Sequence, residues 1–321
     1  MLTELLILRH GKSDWSVAVD DFHRPLKDRG KRGAQRMGLY LWQQGLLPDH
    51  IVSSPAERAL VTAEKTCKAM GMGTLNIRCD QRIYAAELES LLTVLGDCPL
   101  NANRVMLVGH NPGLEDLLLH LSATQIPLPD NGKLLPTASL AHLSMPKDWK
   151  LLPAHSAHLL SITRPHELPK MFSYPAPNGK QLRERPAYYY EQSSVIPYRL
   201  NQGELEILVI QSSKKKHYVV PKGIKEPGLS ARESAAQEAF EEAGVEGLVN
   251  DDPIGSYVYE KWGAECTVAV YPMQVTREIP EQEWEENHRG RQWVSPRQAV
   301  ERLKQPDLAQ FVTELARQLR A

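Results

Sequence analysis

Between Ser230 and Gly244, Glu238, Glu241 and Glu242 stand at i, i+3 and i+4. On a helix this spacing puts three carboxylates on one face, where like charges repel unless a cation gathers them. Hard oxygen donors suit Mg²⁺ or Mn²⁺, so the pattern points to a divalent metal held by a helix; the plain alternative is a solvated acidic face. The helix ends are marked as well. Pro227 and Gly228 make a turn, Ser230 and Glu233 form a capping box, and Gly244 closes the far end.

A second set of reactive residues lies at the other end of the chain. The apolar run from Met1 to Leu8 reads as a buried strand that delivers Arg9-His10-Gly11 into a loop at its carboxyl end. Ser53-Ser54-Pro55-Ala56-Glu57-Arg58-Ala59 adds a second arginine, and the run Val105 to Val108 ends in Gly109-His110-Asn111-Pro112-Gly113, a second strand-end histidine. Two histidines and two arginines make an anion pocket. Phosphoryl transfer to histidine needs such a set: one imidazole attacks phosphorus, while guanidinium groups and the other imidazole balance the equatorial oxygens.

Both sets carry a family resemblance. The stretch from Gly223 to Val245 resembles the Nudix box, with Glu238, Glu241, Glu242, Gly244 and Val245 in that family's spacing. Leu229 and Gln237 depart from it, standing where the family has a glutamate and an arginine that commonly pair; losing both strands no charge. The resemblance implies a Mg²⁺- or Mn²⁺-dependent pyrophosphohydrolase, with Gly223, Glu238, Glu241 and Glu242 in the metal set and Glu241 and Glu242 catalytic. It also implies a further carboxylate from the acidic loop Glu281 to His288, for which Glu285 and Glu286 are candidates, each also readable as a solvated residue. The branch it looks closest to cleaves diadenosine polyphosphates, diphosphoinositol polyphosphates and related nucleotides. Lys222 is then a phosphate ligand, while Lys214, Lys215 and Lys216 either join it or merely keep the surface soluble.

The N-terminal residues resemble the histidine phosphatase superfamily, and Lys12 to Trp15, Arg24-Pro25-Leu26 and Gly109 to Gly113 look like its small phosphohistidine phosphatase (SixA-like) branch. By that resemblance His10 is the nucleophile, Arg9, Arg58 and His110 bind phosphate, and no cofactor is needed. Glu87 sits where larger members carry an acid, and reads equally as a polar helix residue. Arg24 is either a further phosphate ligand or a turn-stabilising residue before Pro25.

The elements that must position these residues follow from pattern. Ser194 to Arg199 and Leu205 to Ile210 read as strands around the turn Asn201-Gln202-Gly203, and His217 to Val220 as a strand entering Pro221-Lys222-Gly223. Tyr257 to Tyr259 and Cys266 to Tyr271 flank a hairpin tip at Lys261-Trp262-Gly263; Arg291 to Val294 is a closing strand, followed by helices at Pro296 to Leu303 and about Leu308 to Leu319. Thr137 to Ser144 and His158 to Thr163 read as the last strands of the first domain, after a loop from Pro127 to Pro136. Five prolines and Asn178-Gly179 between Arg164 and Pro186 read as a linker too broken for regular structure, and Tyr188-Tyr189-Tyr190 is expected to pack where the second sheet begins.

The fold class expected is α/β throughout: a three-layer α/β/α histidine phosphatase domain over 1–163, a proline-rich linker over 164–190, and an α/β/α Nudix sandwich over 191–321. With 321 residues the chain suits two domains. A formal net charge of -1 argues against an electrostatic hold on a nucleic-acid polymer. The partners expected are a small phosphorylated metabolite, or a phosphohistidine on another protein, and no membrane. Cys67, Cys79, Cys98 and Cys266 lack metal-ligand spacing and read as buried thiols in a reducing cytoplasm, and no run has the pattern of a signal peptide or the length of a membrane span.

Overall fold

The computed structural model of the protein describes residues 3–129, 132–176 and 179–320. Met1 and Leu2 of the first expected strand, Asp130 and Asn131 of the expected loop, Pro177 and Asn178 of the expected linker, and Ala321 lie outside them. Contacts divide the chain into two units, Met1–Phe172 and Ser173–Ala321.

The first strand of unit one, β1 (Thr3–Arg9), is buried on both faces, which is why it reads as an unbroken apolar run. Leu5 and Ile7 face one helical layer and pack with Leu91 and Leu114; Leu6 and Leu8 face the other and pack with Met37 and Ala63. The first layer is α3 (Leu88–Gly96) and α4 (Gly113–Leu121), the second α1 (Asp28–Gln43) and α2 (Glu57–Ala69). Between them lie β2 (His50–Ser53), β3 (Ile77–Cys79), β4 (Arg104–Gly109), β5 (Leu140–Met145) and β6 (His158–Thr163), in the order β3-β2-β4-β1-β5-β6. The three-layer expectation holds.

Strands β1, β4 and β2 run parallel, so they end at one edge, with Arg9 opposite Gly109 and Ser53 opposite Val108. The residues that follow them, His10, His110 and Ser54, are therefore delivered to the same place. One thiol departs from expectation. Cys79 is exposed, because it sits on β3 at the edge of the sheet, while Cys67, Cys98 and Cys266 are buried.

The segment expected to lack regular structure contains some. A 3₁₀ turn at Pro165–Glu167 is followed by the two-stranded sheet of β7 (Phe172–Ala176) and β8 (Gly179–Arg183), and another 3₁₀ turn spans Ala187–Tyr190. The Arg183 guanidinium lies 3.3 Å from the Tyr174 ring centroid and 4.6 Å from that of Tyr190, a cation–π stack that composition alone does not reveal. Tyr190 is buried, its ring edge-on to Trp262.

Unit two is built on β9 (Glu191–Asn201), β10 (Glu204–Gln211), β11 (Tyr218–Val219), β12 (Lys222–Ile224), β13 (Val245–Val249), β14 (Gly255–Lys261), β15 (Ala264–Glu278) and β16 (Arg291–Val294). Its main path is β11-β10-β9-β15-β13, with β12 on β9, β14 on β15 and β16 on β10. The two hairpins turn through left-handed backbone at Gln202-Gly203 and Trp262-Gly263. One sheet face packs Ile196 and Ile207 against α6 (Pro296–Arg302) and α7 (Pro306–Gln318), through Ala299 and Val312. The other packs Val195 and Leu208 against α5 (Ala231–Ala243), through Ala235, Ala239 and Ala243. Those alanines, spaced by four, bring α5 close to the sheet, which completes the expected sandwich.

Candidate active sites

In unit one the parallel strand ends bring the histidine rings to 5.1 Å between centroids. Both rings and Arg58 are buried. The His10 Nδ1 lies 2.7 Å from the Gly11 carbonyl oxygen. A carbonyl only accepts, so Nδ1 carries the proton and Nε2 keeps its lone pair. Burial, followed by the charges of Arg58 and Arg9, lowers the His10 pKa to about 4, so at neutral pH the ring is uncharged. His110 is lowered to about 3, by burial first and then by His10 and Arg58, and its Nε2 meets the Ser54 hydroxyl at 2.8 Å.

Arg58 enters from the first turn of α2. It donates to the Asp21 main-chain oxygen and, at 2.8 Å, to the Asp21 carboxylate. That carboxylate also accepts from Tyr84 at 2.9 Å and from Arg24 at 2.7 Å. Burial raises the Asp21 pKa, but the bonds from Tyr84 and Arg58 outweigh it and hold the group below the usual carboxylate range. Arg24 thus faces Asp21 and stacks on Trp15, 3.4 Å from the ring centroid. Arg9 donates to the Leu135 carbonyl at 2.7 Å. Among the described residues, Arg9 Nε and His110 Nδ1 are buried without a hydrogen-bond partner. Glu87 is exposed at the N-cap of α3 and makes no capping bond there.

Asp21, Ser54, Thr62 and Tyr84 belong to this pocket although sequence reading gave them no role; Thr62 accepts from the Gly11 amide at 2.9 Å and so fixes the loop after His10. Asp21 meets Arg58 across 37 positions of chain, a separation that carries no local signal.

In unit two, the capping box of Ser230 and Glu233 starts α5, and Gly244, at φ 60°, ends it in left-handed backbone. The Glu238 carboxylate lies so close over Gly223 that a β-carbon at Gly223 would collide with it. Burial, then the charges of Glu242, Glu241, Glu226 and Glu286, raises the Glu238 pKa to about 8. Burial also raises Glu242, although the Lys222 amide donates to it at 3.0 Å and Arg289 at 2.7 Å. Glu241 accepts from Gln237, one turn back, at 2.7 Å. Arg289 also holds Glu286, while Glu285 is exposed.

The loop that carries Arg289 is anchored to the end of α5. The Trp284 indole donates to the Glu241 carbonyl at 3.1 Å, and Arg291 to that of Gly244 at 2.7 Å, which satisfies carbonyls left open by the helix terminus. Lys222 is turned the other way: its ammonium donates to Gln192 at 2.7 Å and to the Tyr259 hydroxyl at 2.9 Å, and burial lowers its pKa. Lys214, Lys215 and Lys216 are exposed.

Residues 191–315 match the NUDIX domain family, and residues 5–84 the histidine phosphatase superfamily (branch 1). Nudix hydrolase 21 (chloroplastic) of Arabidopsis thaliana is 30% identical over 176 residues, which cover 51% of this chain and 84% of that protein. The chain belongs to the Nudix hydrolase family. Nudix hydrolase 13 (mitochondrial) of the same plant is 31% identical over 134 residues, 34% of this chain and 64% of that protein. The solved structure described as a phosphohistidine phosphatase SixA from Nakamurella multipartitia is 26% identical, with a TM-score of 0.44, and covers 51% of this chain and 97% of its own. This Nudix protein spans 64% of the length of Nudix hydrolases 13, 12 and 16.

Nudix enzymes generally use a divalent metal such as Mg²⁺. Among the described residues, no three of His, Cys, Asp and Glu converge as a ready metal cluster. The helical face gathers Glu238, Glu241 and Glu242 as their spacing requires, but Glu241 is turned to Gln237 and Glu242 to Arg289. The donor set nonetheless fits a cation: burial first, and then the charges of Glu242 and Glu241, lift Glu238 to about 8, a charge crowding that a cation relieves, and Gly223 gives the space a side chain would fill.

Proposed function

We propose that the chain is a phosphohydrolase with two separate chemistries: a phosphatase over 1–163 working through His10, and a divalent-metal Nudix pyrophosphohydrolase over 191–321. The phosphatase reading rests on the tautomer of His10. Its Nε2 lone pair attacks phosphorus as the bond to the leaving oxygen breaks, and water then cleaves the phosphorus–nitrogen bond and restores the imidazole. Arg58, Arg9 and His110 stabilise the equatorial oxygens, and a phosphate gives the unpartnered Arg9 Nε and His110 Nδ1 acceptors otherwise lacking.

The Nudix reading rests on the buried carboxylates around Gly223. Glu238, Glu241, Glu242 and Glu286, with Gly223 offering only main-chain oxygen, would hold Mg²⁺ or Mn²⁺, which supplies charge stabilisation to a diphosphate. The exposed Lys214 to Lys216 support a polyanionic substrate, a nucleoside polyphosphate, a dinucleoside polyphosphate or a diphosphoinositol-like compound, whereas the Lys222 ammonium expected to join them is engaged by Gln192 and Tyr259. The free thiols of Cys67, Cys79, Cys98 and Cys266 support a reducing cytoplasm.

A second reading has a protein phosphohistidine phosphatase joined to a Nudix module that senses nucleotide without turnover. It is favoured by the engagement of Glu241 and Glu242 with Gln237 and Arg289. The deciding experiment assays the full chain on a monoester and on a diadenosine polyphosphate with Mg²⁺. His10→Ala should lose monoester turnover together with an acid-labile phosphoenzyme, and Glu242→Gln only the diphosphate cleavage. A phosphoenzyme persisting in His10→Ala would refute the nucleophile. Mg²⁺-independent binding of nucleotide without product would establish the sensing module.

A further inference from the structure

We propose that Arg289 is a built-in competitor for the divalent cation of the Nudix site: its guanidinium holds Glu242 and Glu286, and a cation reaches those carboxylates only by displacing it. The proposal rests on reading this cluster as the metal centre. One Arg289 nitrogen donates to Glu242 at 2.7 Å and another to Glu286. The Arg289 and Glu242 side chains are only 11% and 13% exposed, so solvent screens their attraction poorly. The other Glu242 oxygen is taken by the Lys222 amide at 3.0 Å.

The placement of Arg289 is enforced by its neighbours. It lies in a 3₁₀ turn at Asn287–Arg289, between Trp284 and Arg291, both tied to carbonyls at the end of α5. These ties hold the backbone that carries Arg289 against the end of α5. Gln237, the position from which an arginine on α5 could have met the cluster, is neutral and donates to Glu241. Arg289 is therefore the guanidinium bonded to Glu242 among the described residues. A divalent ion brings twice its charge, so it wins at sufficient concentration, and the cost of displacement appears as weaker apparent affinity.

The test is Mn²⁺ binding to the full chain without substrate, followed by calorimetry and by the electron paramagnetic signal of free Mn²⁺. Arg289→Gln should bind about tenfold more tightly, the ratio that corresponds to roughly 1.4 kcal/mol of removed competition. Arg289→Lys, which keeps the charge but loses the planar fork, should fall between, and it carries the comparison if the glutamine variant fails to fold. In a Glu242→Gln background, where only Glu286 is left for the guanidinium to hold, the difference should shrink. Unchanged or weaker binding by folded Arg289→Gln would overturn the proposal and leave the metal centre standing. Lack of any Glu242-dependent Mn²⁺ binding in the parent would remove both.

Discussion

A single hydrogen bond sets the tautomer of His10: the bond from Nδ1 to the Gly11 carbonyl leaves Nε2 unprotonated, the form that the proposed attack on phosphorus requires. Burial does the rest, holding His10 near 4 and His110 near 3 against an unfolded value of 6.5. The unfolded chain therefore takes up protons that the folded chain refuses. Stability from these groups is complete above about pH 6.5 and declines as pH falls toward 4. Glu238, held at about 8, works in the opposite sense, so the readout is a difference: from pH 7.5 to 4.5 the melting temperature of a variant with both histidines replaced by asparagine should gain on that of the parent, and an unchanged difference would mean that other groups set the pH dependence. Glu87 allows a second prediction at this scale. If it supplies the proton to the leaving oxygen, Glu87→Gln should slow an alkyl phosphate about 10²-fold, and phosphoramidate, whose leaving group needs less help, much less. Equal rates on both substrates in the variant and the parent would return Glu87 to an exposed polar residue of α3.

Among the elements, α5 illustrates how a helix can be stable as an element and strained in its function. Its capping box, its Gly244 terminus and its buried alanines stabilise it, while the carboxylates on the adjoining face oppose one another. These terms separate experimentally. Ser230→Ala should cost about 1 kcal/mol of stability, read as a lower melting temperature, with little change in turnover. Gly223→Ala should do the reverse, since its β-carbon would push Glu238 aside: diphosphate cleavage and Mn²⁺ binding should fall while the melting temperature moves little. A Gly223→Ala protein with parental Mn²⁺ affinity would show that Glu238 is not held there for the metal. The turn and strand signals of this unit were legible in the sequence because Gln202-Gly203 and Trp262-Gly263 are local devices. The two-stranded sheet of β7 and β8 was not, because prolines mark the segment as a break and the stack of Arg183 on Tyr174 and Tyr190 forms only once the chain has folded.

For the whole molecule, the two proposed chemistries predict separable dependence on metal. Chelation by EDTA should abolish diphosphate cleavage and leave monoester turnover intact; parallel loss of both would mean that the phosphatase reading omits a cation. The sequence by itself determined the two α/β units, the strand-end histidines and the spacing of three glutamates on one helix, because periodicity, capping and motif spacing are local properties of the chain. It also determined that Leu229 and Gln237 break the box. Only the tertiary structure decided which partners the reactive groups meet: Asp21 on Arg58, Ser54 on His110, Arg289 on Glu242. These contacts join residues 37, 56 and 47 positions apart. No local pattern encodes such pairs. They arise because parallel strands end at one edge, and because the loop after β15 is pinned to the carbonyl end of α5.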